Sequence, residues 1–228
     1  MPIGYDKVGL NQELLLNLKF VEGTGLITHD WAKPNHENPL LVTPAWYQLA
    51  NGKNYLDFDD TNPDWIEITG ANSADLNFTI GDYSVGCWVY FDTTLGGMLM
   101  IRGLASTDGW YLYIDGSDGK IYFGTNQAGA RQLSYSNDDA VELDGWYLVV
   151  ATRDGADVSL YSNGIDVTEL QDTHVNPLTS ARKFLIGVDD DEASETINGK
   201  VGEVWIWDRE LTPADVKQLY ELTRGEYE

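Results

Sequence analysis

Short runs in which apolar and polar residues alternate recur along the chain, and clusters of Gly, Asp, Asn and Ser separate them. A period of two predicts β-strands with one buried face. Residues 13–20 show this clearly, with Leu14, Leu16, Leu18 and Phe20 on one face. Further strands are predicted at 55–58, 65–68, 79–91, 97–102, 110–114, 120–124, 131–135, 146–152, 158–161, 183–187 and 201–207. Such regular spacing predicts a β-sandwich.

A hairpin at residues 143–164 is the centre of this pattern. An Asp154-Gly155 turn joins two runs rich in aromatic and β-branched residues, and Asn163-Gly164 forms a second turn. Both alternating sets of the first run are largely apolar, which predicts a strand covered on both faces. The sandwich core is predicted to contain Leu16, Leu18, Phe20, Val85, Cys87, Val89, Leu148 and Val150, and Trp88 is also predicted to be buried.

The chain is predicted to divide into a polar arm, residues 1–12, and one domain, residues 13–228. After Phe20 a long stretch with His29, Trp31, Pro34, His36 and Pro39 is predicted to be irregular. Near the end, Thr212 caps a short helix, Pro213 suits its first position and Asp215 favours its positive end. Because the arm has no apolar core of its own, we expect it to pack on a neighbouring subunit, in a homo-oligomer or a larger assembly.

The chain is strongly acidic, with a formal net charge of −23. This charge repels nucleic-acid phosphates and anionic lipids, so neither nucleic acid nor a membrane surface is an expected partner. The hydrophobic share of 43% argues against disorder. The single cysteine, Cys87, cannot form an intrachain disulfide, and its apolar strand predicts a buried, inert thiol.

The first residues lack the charged and apolar regions of a signal peptide, and no apolar run approaches the ~20 residues of a membrane span. We therefore expect synthesis in a cytoplasm, without membrane insertion. The expected final location is the surface of a virus particle, with an extracellular location as the alternative.

Three stretches resemble one known family. The hairpin runs Asp144-Gly145-Trp146, strand, Asp-Gly, strand, Tyr-x-Asn-Gly, and residues 199–211 and 56–68 resemble the closing and early strands of that family. In this order they resemble the laminin-G-like, pentraxin-type branch of the concanavalin A-like lectins and glucanases. The resemblance implies an all-β fold, an antiparallel sandwich of jelly-roll type, with one short C-terminal helix. Lectins, adhesion modules, virion parts and hydrolases all use this fold, so it does not fix the function.

Catalytic and zinc sites find little support in the sequence. Glycan-cleaving relatives carry a Glu-x-Asp-x-x-Glu run on one strand, and this chain has no such run. Glu142, Asp144 and Glu203 are the nearest carboxylates, and they lack the required alternation. His29, Asp30, His36 and Glu37 match no zinc spacing, and no cysteine accompanies them.

The sequence supports a calcium site better than a zinc site. Asp59, Asp60, Asn62 and Asp64 place hard oxygen donors in one turn. Asp59 and Asp64 match acidic positions that the resemblance implies for a calcium site, whereas Asp60 replaces a Gly and Gly202 replaces an Asp. An Asx-rich turn that bonds to its own backbone is the alternative.

Loop aromatics are the candidates for glycan or protein binding: Trp31, Trp46, Tyr47, Trp65 and Trp110. An exposed indole or phenol ring stacks on the apolar face of a sugar. We therefore expect a non-catalytic binding or structural module. The leading setting is an exposed part of a virus or phage particle, the alternative is a cellular carbohydrate-binding lectin domain, and the third is a polysaccharide-degrading enzyme.

Overall fold

The computed structural model describes residues 9–32, 36 and 39–227, which form two packed antiparallel sheets. Their strands, in chain order, are β1 Leu14–Leu18, β2 Leu40–Val42, β3 Ala45–Gln48, β4 Asn54–Phe58, β5 Trp65–Ile68, β6 Tyr83–Tyr90, β7 Gly97–Leu104, β8 Asp108–Ile114, β9 Ile121–Gln127, β10 Ala130–Ser136, β11 Trp146–Asp154, β12 Asp157–Ser162, β13 Ile165–Asp166, β14 Thr168–Leu170, β15 Phe184–Ile186 and β16 Gly199–Trp207. One α-helix, α1, spans Pro213–Thr223 in the described part of the chain. The predicted all-β sandwich with a short C-terminal helix is confirmed.

The two sheets have different surroundings. The helix-side sheet has the order β13-β12-β11-β6-β16-β4-β3, with β1 also paired to β16. The open sheet has the order β14-β10-β9-β8-β7-β15-β5-β2. Apolar residues from both inner faces form the main core, as expected for two packed sheets. The outer face of the helix-side sheet packs against α1, because its residues form a second cluster with Val216 and Leu219.

The central hairpin forms as predicted. β11 pairs with both β6 and β12, and it is buried on its two faces. Val149 and Ala151 belong to the main core, whereas Leu148 and Val150 pack in the cluster under α1. Placing Leu148 and Val150 in the inter-sheet core was therefore wrong. Burial on both faces does not reveal which side of the strand faces the other sheet.

The predicted hairpin turn and the predicted start of the helix are also present. Asn163 and Gly164 both adopt positive φ between β12 and β13, the geometry of a tight hairpin turn. Thr212 accepts a hydrogen bond from the backbone of Asp215, whose side chain bonds back to the Thr212 backbone in a capping box. Trp88 is buried as predicted, and its indole N–H donates to Thr223 Oγ1 at 3.0 Å at the end of α1.

Two features near the N-terminus were not predicted. After the stretch predicted to be irregular, which ends at Pro39, the chain forms β2 and β3, which are edge strands of three and four residues. Their pairing partners β5 and β4 supply the order that so short a pattern cannot indicate. Residues 9–12 of the predicted arm pack on the domain itself, where Leu10 is buried and its carbonyl accepts from the Trp207 indole. Residues 1–8 of that arm lie outside the described residues.

Candidate ligand-binding cleft

The outer face of the open sheet carries rings that form the floor of a cleft. On β8, Tyr111 and Tyr113 face outward, and Tyr113 is directly opposite Tyr122 on β9. Gly124 is opposite Tyr111, and a Cβ atom there would overlap the Tyr111 ring. The glycine therefore allows the Tyr111 ring to lie across the neighbouring strand.

An acidic loop between β15 and β16, residues 189–195, forms one wall. Asp191 Oδ1 accepts hydrogen bonds from the backbone of Ala193 and Ser194, so the loop closes on itself. Lys183 Nζ ties the loop to the sheet through Glu192 at 2.7 Å and Glu67 at 2.6 Å. The loop is thus held in place before any ligand arrives.

The cleft between this wall and the floor has a volume of about 330 Å³. It is lined by residues of four strands and three loops: Met98, Ala105, Tyr111, Tyr113, Asp115, Tyr122, Arg131, Leu133, Asp189 and Glu195. A smaller hollow of about 160 Å³ shares Tyr113 and Glu195 with it and reaches Asp60. Because the two hollows share these residues, one extended ligand can contact both.

Hydrogen bonds and burial set the electrostatics of the cleft. Burial and the neighbouring Glu195 carboxylate, which accepts from its hydroxyl, raise the pKa of Tyr113. Burial also raises the pKa of Tyr111, whereas Arg131, which bonds to its hydroxyl, lowers it. Burial raises the pKa of Asp189, the Asp190 backbone N–H lowers it, and nearby carboxylates including Glu195 raise it. Both tyrosines therefore remain neutral hydrogen-bonding rings at neutral pH.

A family profile described as the concanavalin A-like lectin/glucanases superfamily matches residues 60–217. The chain belongs to this superfamily. The match contains the cleft and all of the strands that form its floor. No curated protein is similar in sequence to the chain.

Toxin binding domains are among the solved structures that share this fold. The binding domain of Paraclostridial Mosquitocidal Protein 1 superposes with a TM-score of 0.71 at 13% identity, over 92% of this chain and 52% of that one. The receptor binding domain of botulinum neurotoxin D gives a TM-score of 0.68 at 16% identity, over 93% and 53%. A botulinum neurotoxin type C structure gives 0.67 at 13%, over 94% and 52%. The chain thus spans about half the length of each, and the likeness shows a shared fold.

The five aromatics predicted from sequence are scattered over this superfamily fold. Trp110 is fully buried in the main core and is not available to a ligand. Trp46 is half-buried, and its indole N–H donates to the Gly25 carbonyl. Trp31 and Tyr47 are about half exposed, at 53% and 52%, but neither lines the cleft. Trp65 does not line the cleft either, but it packs against a buried cluster whose members Met98 and Tyr111 do.

The predicted calcium turn, Asp59, Asp60, Asn62 and Asp64, reaches the smaller hollow through Asp60, and oxygens of Asp59 and Asp64 already accept hydrogen bonds within the protein. Asp59 accepts from the backbone and hydroxyl of Thr61, and these bonds lower the pKa of Asp59. Asp64 accepts from the Thr43 hydroxyl and the Asp59 backbone N–H. Within the described ranges, no cluster of three or more His, Cys, Asp or Glu side chains could hold a metal ion. Calcium binding stays a prediction from the sequence that this geometry does not support.

His36, considered and set aside as a zinc ligand, is buried between two carboxylates. Its Nδ1 lies 2.7 Å from Asp30 and its Nε2 lies 3.1 Å from Asp75. Burial lowers the pKa of His36, but the hydrogen bonds to the two carboxylates raise it by more. The resulting pKa is about 9, above the ordinary value of 6.5. The ion pairs thus connect the loop after β1 to the turn of 3₁₀ helix at Ala74–Asn77.

Sequence reasoning missed Tyr111, Tyr113, Tyr122 and Arg131. The signal was present in the alternation of β8, where Trp110, Leu112 and Ile114 on one face leave Tyr111 and Tyr113 on the other. The acidic loop was visible as a run of carboxylates. Its position beside the tyrosines depends on the pairing of β15 with β7, which the sequence does not indicate.

Proposed function

We propose that this chain is a non-catalytic glycan-binding module whose site is the cleft on the open sheet. The observation that carries the proposal is the convergence of three tyrosine rings with carboxylates and a guanidinium in one concavity. Aromatic rings bind the apolar faces of sugars, and ionised side chains bind the hydroxyl groups with defined direction. The type C neurotoxin structure, described with two ganglioside molecules, supports a glycan as the ligand class.

A glycan array with purified protein tests this function. Wild type should bind a defined set of glycans, while Tyr113→Ala and Arg131→Ala should lose signal because each removes a cleft contact. Tyr47→Ala is the matched control, since Tyr47 is an exposed tyrosine on the helix-side sheet. Equal signal from wild type and both cleft variants, or loss in the Tyr47 variant alone, would contradict the proposal.

Glycan cleavage is the second candidate, and Asp189 is the observation that favours it. A half-buried carboxyl group whose pKa is raised beside another carboxylate resembles a general acid. If the cleft cleaves glycans, wild type releases reducing ends from a bound polysaccharide and Asp189→Asn does not. We expect no release by either protein.

The proposal also includes where the module is found. An exposed position on a virus or phage particle agrees with a binding module that lacks a disulfide among its residues. Identification of the chain in purified particles by mass spectrometry tests this setting. In the described residues no helix is long and apolar enough to cross a membrane.

A further inference from the structure

The cleft has more negative than positive charge. Asp115, Asp189 and Glu195 line it, and Arg131 is the one cationic residue of the described lining. Three carboxylates and one guanidinium give a formal charge of −2, and Asp60 adds another carboxylate in the smaller hollow. Arg131 also bonds to the Tyr111 hydroxyl, so it does not serve the carboxylates alone. An acidic sugar would meet net repulsion here.

These carboxylates are arranged for an extended organic ligand. Asp115 follows β8, whereas Asp189 and Glu195 lie at the two ends of the acidic loop, and the tyrosines lie in the same cleft. A metal ion needs several oxygens around one point, and no such group exists within the described residues. Separated carboxylates with rings nearby can instead contact cationic groups spaced along a chain.

The same sheet face already binds one ammonium group in this way. Lys120 Nζ lies 4.7 Å from the centre of the Tyr135 ring and forms ion pairs with Asp138 at 3.0 Å and Glu169 at 2.8 Å. Tyr135 pairs with Tyr122, which pairs with Tyr113, so the three rings form one row across β10, β9 and β8. The cleft repeats the combination of ring and carboxylate at Tyr113 and Glu195, and the one cation of its described lining, Arg131, bonds to Tyr111.

We propose that the cleft selects glycans whose sugar rings carry protonated amino groups. This inference rests on the proposed function and names the ligand class of the same site. The ammonium groups contact the carboxylates and the tyrosine faces, and the pyranose rings contact the floor. Neutral N-acetylated sugars keep the contacts of the pyranose rings with the floor and lose the contacts of the ammonium groups.

Calorimetric titration of the full chain with two matched probes tests this selectivity. The probes are glucosamine oligomers and N-acetylglucosamine oligomers of equal length, at a mildly acidic pH at which the sugar amines are protonated and carboxyl groups of ordinary pKa are ionised. We expect the glucosamine oligomer to bind about tenfold more tightly at low salt, and salt to reduce this advantage. The double variant Asp189→Asn/Glu195→Gln should remove it, whereas Asp157→Asn, an exposed carboxylate on β12, should not.

The outcomes separate this inference from the proposed function. One outcome is that the N-acetylated oligomer binds as tightly as the glucosamine oligomer or more tightly, and that Tyr113→Ala abolishes this binding. That result overturns the charge selectivity and leaves the proposed glycan binding intact. Displacement of the glucosamine oligomer by a lysine oligomer of equal charge and concentration shows attraction by charge alone and also overturns it. Failure of both sugar series, with an array on which nothing binds, overturns both proposals.

Discussion

The ring of Tyr111 on β8 lies across Gly124 on β9, in the space that a side chain at position 124 would fill. Replacing Gly124 with Ala should push the phenol end of Tyr111 outward, because that end of the side chain can move while the backbone cannot. The displaced ring should occupy the cleft and lower glycan affinity about tenfold, with a stability loss of about 1 kcal/mol. Titration and urea unfolding measure the two effects.

Gly225→Ala is the control for that substitution, because no atom lies near an added Cβ there and the φ angle is ordinary. Its affinity and stability should match those of wild type. Unchanged affinity in Gly124→Ala would mean that the Tyr111 ring does not form part of the binding floor.

Alanine substitutions at two of the tryptophans predicted as ligand contacts should reduce the stability of the domain by different amounts. Trp110 is buried, and its indole N–H donates to the Leu76 carbonyl at 2.7 Å. Trp110→Ala should destabilise the domain by ~3–5 kcal/mol, since it leaves a cavity and an unpaired carbonyl. Trp31→Ala, at a half-exposed site, should change stability by no more than ~0.5 kcal/mol. Denaturant unfolding of both variants checks this, and equal losses would contradict the assigned burial.

The His36 ion pairs should make stability depend on pH in the alkaline range. The pKa of His36 is about 9 in the folded chain and 6.5 as its ordinary value, so the folded state holds the proton more tightly. The resulting stabilisation is complete below pH 6.5 and is lost as pH rises through about 9. Its size is on the order of 3 kcal/mol, because each pKa unit corresponds to about 1.4 kcal/mol.

Unfolding curves measured across this range should show that loss in wild type. His36→Gln should remove most of the pH dependence, whereas His29→Gln, at an exposed histidine of the same loop, should retain it. A wild-type curve that stays flat between neutral and alkaline pH would contradict the role of these ion pairs.

Melting with calcium and with a chelator tests the turn at residues 59–64. Because Asp59 and Asp64 already accept internal hydrogen bonds, we expect the same melting temperature in both buffers. A bound ion would instead add ~2.7 kcal/mol at a hundredfold excess over Kd. A rise with calcium that disappears in Asp59→Ala would establish the site that the sequence suggested.

The pentapeptide Asp-Gly-Trp-Tyr-Leu occurs at 108–112 and again at 144–148. In the first copy Trp110 faces the main core and Tyr111 faces the cleft. In the second copy Tyr147 packs on the main core, whereas Leu148 lies in the cluster under α1. The same five residues therefore turn opposite faces toward the main core in the two sheets. For this reason the sequence could not show which of these aromatics contacts a ligand.

What the sequence determined by itself was local. Alternation located most strands, Asn163-Gly164 located a tight turn, and Thr212 with Asp215 located the start of α1, because each depends on residues close in the chain. Tertiary structure alone decided which face each strand turns inward, the order of the short edge strands and the meeting of the acidic loop with the tyrosines. Those features depend on pairing between distant segments, and the free energy of that pairing comes from neighbours that a local pattern does not contain.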